Sequence, residues 1–206
     1  EAVRRLGANV VLVGDDYAEA AAHAAEIART EGRTSIPPFD DLDVIAGQGT
    51  VGLELLDQAP RDTGAVYLPV GGGGLAAGVA AVMKSVRPEI HVVGVQPDDS
   101  DAMRRSLEAG TRVTLAHVGI FADGVAVRQV GEHTFALCQR WLDGCMTVTL
   151  DEICAAIRDV FQDTRTILEP SGALGVAGLK RAVQAGAAPQ GTLVAIASGA
   201  NMNFAR

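Results

Sequence analysis

Apolar residues along the chain occur in two patterns, as short unbroken runs and at helical spacing. Short runs that are apolar at nearly every position predict buried strands at about residues 10–13, 65–70, 91–96, 146–150 and 192–197. Apolar residues three and four positions apart predict helices at about 17–31, 43–58, 100–109, 131–142 and 151–167, with two more ending near 86 and 185. Asp151 is the expected N-cap of the helix at 151–167, and Glu152 lies in its first turn. This alternation predicts an α/β fold with a mostly parallel sheet flanked by helices.

The overall charge argues against two classes of partner. The 206 residues carry a net charge of -8 with a pI near 4.9, and both nucleic acid and anionic membranes repel an acidic protein. Residues 65–83 have no charged side chain, but Pro69 and four consecutive glycines interrupt them. We therefore expect neither a nucleic-acid partner nor a membrane span.

The three cysteines, Cys138, Cys145 and Cys154, are odd in number and form no Cys-x-x-Cys pair. This argues against a disulfide framework and a structural zinc site, and it favours a reducing cytoplasm. All three are expected to be small buried hydrophobic residues.

A run of four glycines is the strongest local feature. The predicted strand at 65–70 leads into Gly71, Gly72, Gly73 and Gly74, and a predicted helix begins near Leu75. Successive glycine N–H groups and a helix N-terminus together can bind one phosphate. The alternative is a turn that packs the helix on the strand. A single glycine would serve that purpose, so four in a row favour the phosphate site.

The glycine run alone does not identify the phosphate compound. Gly71, Gly73 and Ala76 match the spacing of the dinucleotide fingerprint, and Asp98 or Asp99 follows at about the distance of a ribose-binding acid. A nicotinamide-dinucleotide-binding oxidoreductase domain is therefore an alternative.

Four further motifs stand around the glycine run in the sequence. They are Pro37-Pro38-Phe39-Asp40-Asp41 with Ile45-Ala46-Gly47-Gln48-Gly49-Thr50, then Phe121-Ala122-Asp123-Gly124-Val125, Glu169-Pro170-Ser171-Gly172-Ala173 and Ser198-Gly199-Ala200-Asn201-Met202-Asn203-Phe204. In order and spacing they resemble the threonine/serine dehydratase family of pyridoxal-phosphate enzymes, whose fold is that of the tryptophan synthase β-chain. The first and last motifs are most similar to the biosynthetic threonine dehydratases.

The resemblance implies a role for each site residue. Backbone N–H groups of Gly71, Gly72, Gly73, Gly74 and Leu75 would bind the phosphate of pyridoxal 5'-phosphate. The Ser198 hydroxyl would contact the pyridine nitrogen, the Gly124 backbone would line the pocket, and Glu169 would lie near the ring.

Considered singly, several of these residues have a simpler explanation. Ser198 could belong to a strand-end turn, Gly124 could be a turn glycine, and Glu169 could be a solvated helix end. Asp40 and Asp41 are adjacent in an extended stretch, so their side chains point apart, and we expect loop or cap roles for them. The four histidines have no spacing that indicates a catalytic or metal role.

The lysine that the chemistry requires is not recognisable here. Only Lys84 and Lys180 are present, and neither stands in the family's Ser-x-Lys-x-Arg-Gly context. We therefore expect a fragment of a longer enzyme, inactive by itself, with no catalytic residue in this chain. Gln96 stands where related enzymes place an acidic cation ligand, so no metal is expected.

The expected parent enzyme converts L-threonine to 2-oxobutanoate and ammonia, the step that leads to isoleucine. Residues 1–47 would be the end of a smaller domain and 48–206 most of a larger, cofactor-binding domain. A serine/threonine racemase or a serine dehydratase would share the motifs, and a non-catalytic ligand-binding protein is a further alternative. L-serine is a possible second substrate, and the family favours a homo-oligomer.

Overall fold

The computed structural model describes residues 2–14 and 17–202. Asn203 and Phe204, which end the last motif, lie outside the described residues. Contacts between Cα atoms divide the chain into two compact units, residues 1–37 and 38–206. The predicted boundary after Gly47 falls inside a helix of the second unit, and the assignment of the two parts to a smaller and a larger domain stays a prediction.

The first unit contains helices α1 (Ala2–Arg5) and α2 (Tyr17–Glu31). The strand predicted at 10–13 is wrong, because these residues lie in neither helix nor strand. A strand needs a hydrogen-bonded neighbour, and no described residue pairs with this segment. Leu12 is 82% exposed.

The described residues of the second unit, 38–202, form four parallel strands in the order β3-β2-β1-β4. They are β1 (Thr63–Pro69), β2 (His91–Pro97), β3 (Gly144–Val148) and β4 (Thr192–Ala195). Around them lie α3 (Leu42–Gln58), α4 (Gly74–Val86), α5 (Ala102–Ala109), α6 (Glu132–Trp141), α7 (Leu150–Thr164) and α8 (Leu174–Gln184). The predicted α/β class with a parallel sheet is confirmed.

Both faces of β1 are buried, which explains why its sequence is apolar without alternation. Val66 and Leu68 belong to a core with residues of α4, while Ala65 and Tyr67 belong to a second core with residues of α7 and α8. Tyr67 pairs with Val93 on one side and with Ala195 on the other. The strand thus holds a fixed register in the middle of the sheet.

The start of α7 differs from the prediction. Thr149 is the N-cap, its hydroxyl accepts from the Glu152 N–H at 3.3 Å, and the Glu152 carboxylate accepts from the Thr149 N–H at 2.7 Å. This reciprocal capping box places Asp151 inside the first turn. The predicted Asp151 cap is wrong because a threonine followed three residues later by glutamate satisfies two backbone donors.

The cysteines differ in exposure. Cys138 is buried and Cys145 half-buried, and burial raises the pKa of both thiols, that of Cys145 to about 12. Cys154 is exposed on α7, so the expectation that all three are buried is wrong for this residue. In the described part of the chain, no helix is both long enough and apolar enough to cross a bilayer.

Candidate functional site

The carboxyl ends of β1 and β4 lie side by side, because the two strands are parallel neighbours. The glycine run follows β1, and Ser198 with Gly199 follows β4. The fold therefore brings two separated sequence motifs to one edge of the sheet, where ligands of open α/β sheets bind.

Each glycine of the run has close neighbours within the protein. A methyl group at Gly72 would overlap the Phe39 ring, one at Gly71 would lie 2.9 Å from the Val125 Cα atom, and one at Gly74 would lie 3.1 Å from the Phe39 Cβ atom. Gly73 has a φ of +103°, a conformation that glycine adopts readily. The expectation that a single glycine would serve the packing of this turn is therefore wrong.

The carbonyl groups of the run have partners within the protein. The Gly72 carbonyl accepts from the Thr134 hydroxyl at 2.6 Å and from the Gly131 N–H at 3.3 Å. The Gly73 carbonyl accepts from the Ala77 N–H at 2.8 Å, the first hydrogen bond of α4.

The N–H groups of the run, unlike its carbonyl groups, are available to a ligand. Over residues 2–14 and 17–202, those of Gly71, Gly72 and Gly73 donate to no protein acceptor. Gly73 is the N-cap of α4 and has no capping side chain, so the N–H groups of Gly74 and Leu75 at the helix start lack an intrahelical partner as well. Five consecutive donors at the positive end of a helix fit a phosphate.

The remaining predicted residues meet beside the run. The Glu169 N–H donates to the Gly199 carbonyl at 3.1 Å, and the Glu169 carboxylate accepts from the Asn201 N–H at 2.9 Å. A methyl group at Gly124 would lie 3.6 Å from Glu169 Oε1. Ser198, which directly precedes Gly199, is exposed. Gly124, Glu169 and Ser198 therefore come together although 74 positions separate the first from the last.

An open cavity of about 520 Å³ adjoins this group. Two carboxylates and an amide lie among apolar side chains in its wall, and the lining residues are Ile120, Phe121, Asp123, Glu169, Pro170, Asn201 and Met202. The glycine run is not part of this wall. The cavity has the size and mixed lining of a small-molecule site.

Ser171 is a site residue to which the sequence analysis assigned no role. It is 4% exposed, and its hydroxyl has no hydrogen-bond partner in the described part of the chain. A methyl group at Gly124 would lie 2.9 Å from this hydroxyl oxygen, so Gly124 must be small where it passes Ser171. Its position within the Glu169-Pro170-Ser171-Gly172 motif was the sequence feature that could have identified it as a site residue.

Gln96 is buried and uses its amide inside the protein. Its Nε2 donates to the Val70 carbonyl at 3.1 Å, and its Oε1 accepts from the Arg104 N–H at 2.9 Å. The side chain thus connects the residue before the glycine run to the first turn of α5. No group of three or more His, Cys, Asp or Glu side chains that could hold a metal ion occurs in the described ranges.

Both lysines form ion pairs away from the glycine run. Lys84 Nζ lies 2.6 Å from the Asp143 carboxylate, and Lys180 pairs with Asp159. Asp41 is the N-cap of α3, and Asp40 accepts from N–H groups at the start of α6. The expected loop or cap roles of these two residues are therefore confirmed, and both are caps.

Comparisons with known proteins agree with this geometry. A family model described as "Pyridoxal-phosphate dependent enzyme" matches residues 1–199. The L-threonine dehydratase biosynthetic IlvA of Burkholderia multivorans is 57% identical over 200 residues, which are 97% of this chain. The processed form of threonine deaminase isoform 2 from Solanum lycopersicum has a TM-score of 0.94 at 50% identity over 99% of the chain.

A serine racemase from Dictyostelium discoideum is also similar, with a TM-score of 0.86 at 33% identity over 98% of this chain and 64% of its own. The present chain spans 39% of the length of the Burkholderia protein and 59% of the tomato structure. On the match over residues 1–199, the chain belongs to the pyridoxal-phosphate-dependent enzyme family.

Proposed function

We propose that this chain is part of a biosynthetic L-threonine dehydratase that forms 2-oxobutanoate and ammonia in the pathway to isoleucine. The observation that carries the proposal is the row of free N–H groups at Gly71, Gly72 and Gly73 in a chain of this family. The names of similar proteins, "L-threonine dehydratase biosynthetic" and "threonine deaminase", support the substrate.

Pyridoxal phosphate, when bound, supplies an electron sink that allows an amino acid to lose its α-proton and a β-hydroxyl. The backbone of Gly71–Gly74 and Leu75 would hold the phosphate by hydrogen bonds and by the dipole of α4. The Ser198 hydroxyl would be a neutral partner for the pyridine nitrogen, and a hydroxyl does not keep that nitrogen protonated as a carboxylate would.

Gly124 and Glu169 complete the site in this proposal. Gly124 lines it through its backbone, since a side chain there would press against Ser171. Glu169 positions the segment after β4 through its hydrogen bonds to Gly199 and Asn201. The lysine that carries the cofactor belongs to the rest of the protein, because Lys84 and Lys180 serve ion pairs elsewhere.

Residues 1–47 and 48–206 correspond in this proposal to the end of a smaller domain and to most of the cofactor-binding domain. A cytoplasmic homo-oligomer is the proposed state of the complete protein. The nicotinamide alternative is not retained, because the matching family model describes pyridoxal-phosphate enzymes.

The test is an assay of the complete protein with pyridoxal phosphate and L-threonine, in which 2-oxobutanoate is measured. Rapid formation of 2-oxobutanoate supports the dehydratase. A racemase is the second candidate because of the Dictyostelium likeness, and it would convert L-serine to D-serine with little oxoacid. If the protein formed neither 2-oxobutanoate from threonine nor D-serine from serine, both candidate activities would be refuted. The chain of residues 1–206 assayed alone should form no oxoacid.

A further inference from the structure

Asp40 caps a helix that lies far from it in the sequence. Its Oδ2 accepts from the Glu132 N–H at 2.8 Å, and its Oδ1 accepts from the N–H groups of His133 at 2.9 Å and Thr134 at 3.2 Å. The N-cap of α6, Gly131, has no side chain of its own, and a methyl group there would overlap the Asp40 carboxylate. One carboxylate thus satisfies three donors at the positive end of α6.

The first turn of α6 in turn contacts the glycine run. Thr134 is fully buried, and its hydroxyl donates to the Gly72 carbonyl at 2.6 Å. The Gly131 N–H donates to the same carbonyl at 3.3 Å. The position of α6, which Asp40 fixes, therefore determines the direction of the Gly72 carbonyl.

This direction also determines where the next N–H group points. The peptide bonds of the run are trans, and in a trans peptide the carbonyl and the following N–H point in opposite directions. A Gly72 carbonyl held towards α6 therefore turns the Gly73 N–H away from α6. The bond from the Ala77 N–H to the Gly73 carbonyl orients the Gly74 N–H in the same way, towards the open end of α4.

We propose that Asp40 and Thr134 are positioning residues for the phosphate site, an inference that rests on the proposed function. Asp40 fixes α6, and Thr134 on α6 holds the Gly72–Gly73 peptide in its binding orientation before the phosphate arrives. Donors that are already oriented lose little entropy on binding. The two residues therefore strengthen binding of the phosphate group and not of the pyridine ring.

The test compares two probes, pyridoxal phosphate and pyridoxal, by titration of the apoprotein made from the complete protein. Thr134→Val keeps the volume and removes the hydroxyl, and we expect a Kd for pyridoxal phosphate about tenfold higher. The Kd for pyridoxal, which lacks the phosphate, should stay within about twofold. Thr134→Ser should restore the wild-type ratio.

Thr50→Val is the matched control. The Thr50 hydroxyl also donates to a glycine carbonyl, that of Gly47 at 2.7 Å, but it lies on the exposed face of α3. This variant should leave the ratio of the two Kd values unchanged.

Asp40→Asn, which keeps one acceptor oxygen without the charge, is the second variant if Thr134→Val does not fold. It should raise the Kd for pyridoxal phosphate about threefold relative to that for pyridoxal.

The outcomes separate this inference from the proposed function. Wild-type protein that binds pyridoxal as tightly as pyridoxal phosphate would contradict the phosphate site itself. Wild-type protein that prefers pyridoxal phosphate, with Thr134→Val weakening both probes equally or neither, would overturn only the positioning role. The positioning role is supported if Thr134→Val weakens binding of pyridoxal phosphate alone and Thr134→Ser restores that binding.

Discussion

The ring of Phe39 lies directly against the backbone of Gly72, so that a methyl group at Gly72 would overlap three atoms of the ring. Gly72→Ala must therefore displace either Phe39 or the glycine run. We expect it to lower the free energy of unfolding by about 1–3 kcal/mol, as overpacking does. Urea denaturation followed by circular dichroism measures the change.

Gly47→Ala is the control for this substitution. Gly47 lies inside α3, and beyond its chain neighbours and the nearby backbone of its own helix an added methyl group has no atom within 4 Å. Alanine is the better helix former, so this variant should gain roughly 0.5–1 kcal/mol. If Gly72→Ala behaved like Gly47→Ala, the contact between Phe39 and the glycine run would not be as described.

The N-terminus of α7 offers a second pair of variants. Thr149→Ala removes the side-chain acceptor of the capping box and should cost about 1 kcal/mol of unfolding free energy. Asp151→Ala removes only a charge in the first turn and should cost no more than about 0.5 kcal/mol. The same denaturation measurement decides between the two positions, and a larger loss at Asp151 would restore the cap predicted from the sequence.

A buried carboxylate makes the stability depend on pH. Asp101 is 2% exposed, and its burial opposes ionisation. Its ion pairs with Arg104 and Arg105 outweigh burial and lower the Asp101 pKa. A carboxylate with a lowered folded-state pKa stabilises the protein above its unfolded pKa of about 3.9, and this stabilisation is lost as the pH falls below that value.

Asp101→Asn should therefore destabilise the chain by about 1–3 kcal/mol at pH 7. The difference from the wild type should narrow as the pH falls below about 4. Urea midpoints measured between pH 7 and pH 3 test this dependence. A difference that stays constant down to pH 3 would mean that the Asp101 charge contributes nothing.

The three cysteines should differ in their reactivity towards a thiol reagent. Burial raises the pKa of the Cys138 and Cys145 thiols, so little reactive thiolate forms at either. Iodoacetamide at pH 8 should modify Cys154 alone in the native protein and all three cysteines in denaturant. Peptide mass spectrometry identifies the sites, and rapid native labelling of Cys138 would contradict its burial.

The sequence predicted best what depends on neighbouring residues. The apolar run at 65–70 indicated β1, because a strand buried on both faces is apolar at nearly every position. The glycines after it indicated the start of α4, because a turn built from glycines is visible in the sequence itself. The strand predicted at 10–13 fails for the opposite reason: pairing depends on a partner elsewhere, which an apolar run does not reveal.

The contacts that shape the candidate site are likewise not local. Asp40 meets the N–H groups of α6 across 92 positions or more, and Thr134 meets Gly72 across 62. A single sequence contains no signal that pairs these positions. It did predict a loop or cap role for Asp40, but not the helix that Asp40 caps.

The most direct test of the central claim is a crystal structure of the complete protein with pyridoxal phosphate bound. The account predicts the phosphate oxygens about 2.7–3.2 Å from the backbone nitrogens of Gly71 to Leu75, with the Gly72 carbonyl still on Thr134. A phosphate bound elsewhere, with the glycine run contacting only Phe39 and its other protein neighbours, would show that these glycines serve packing alone.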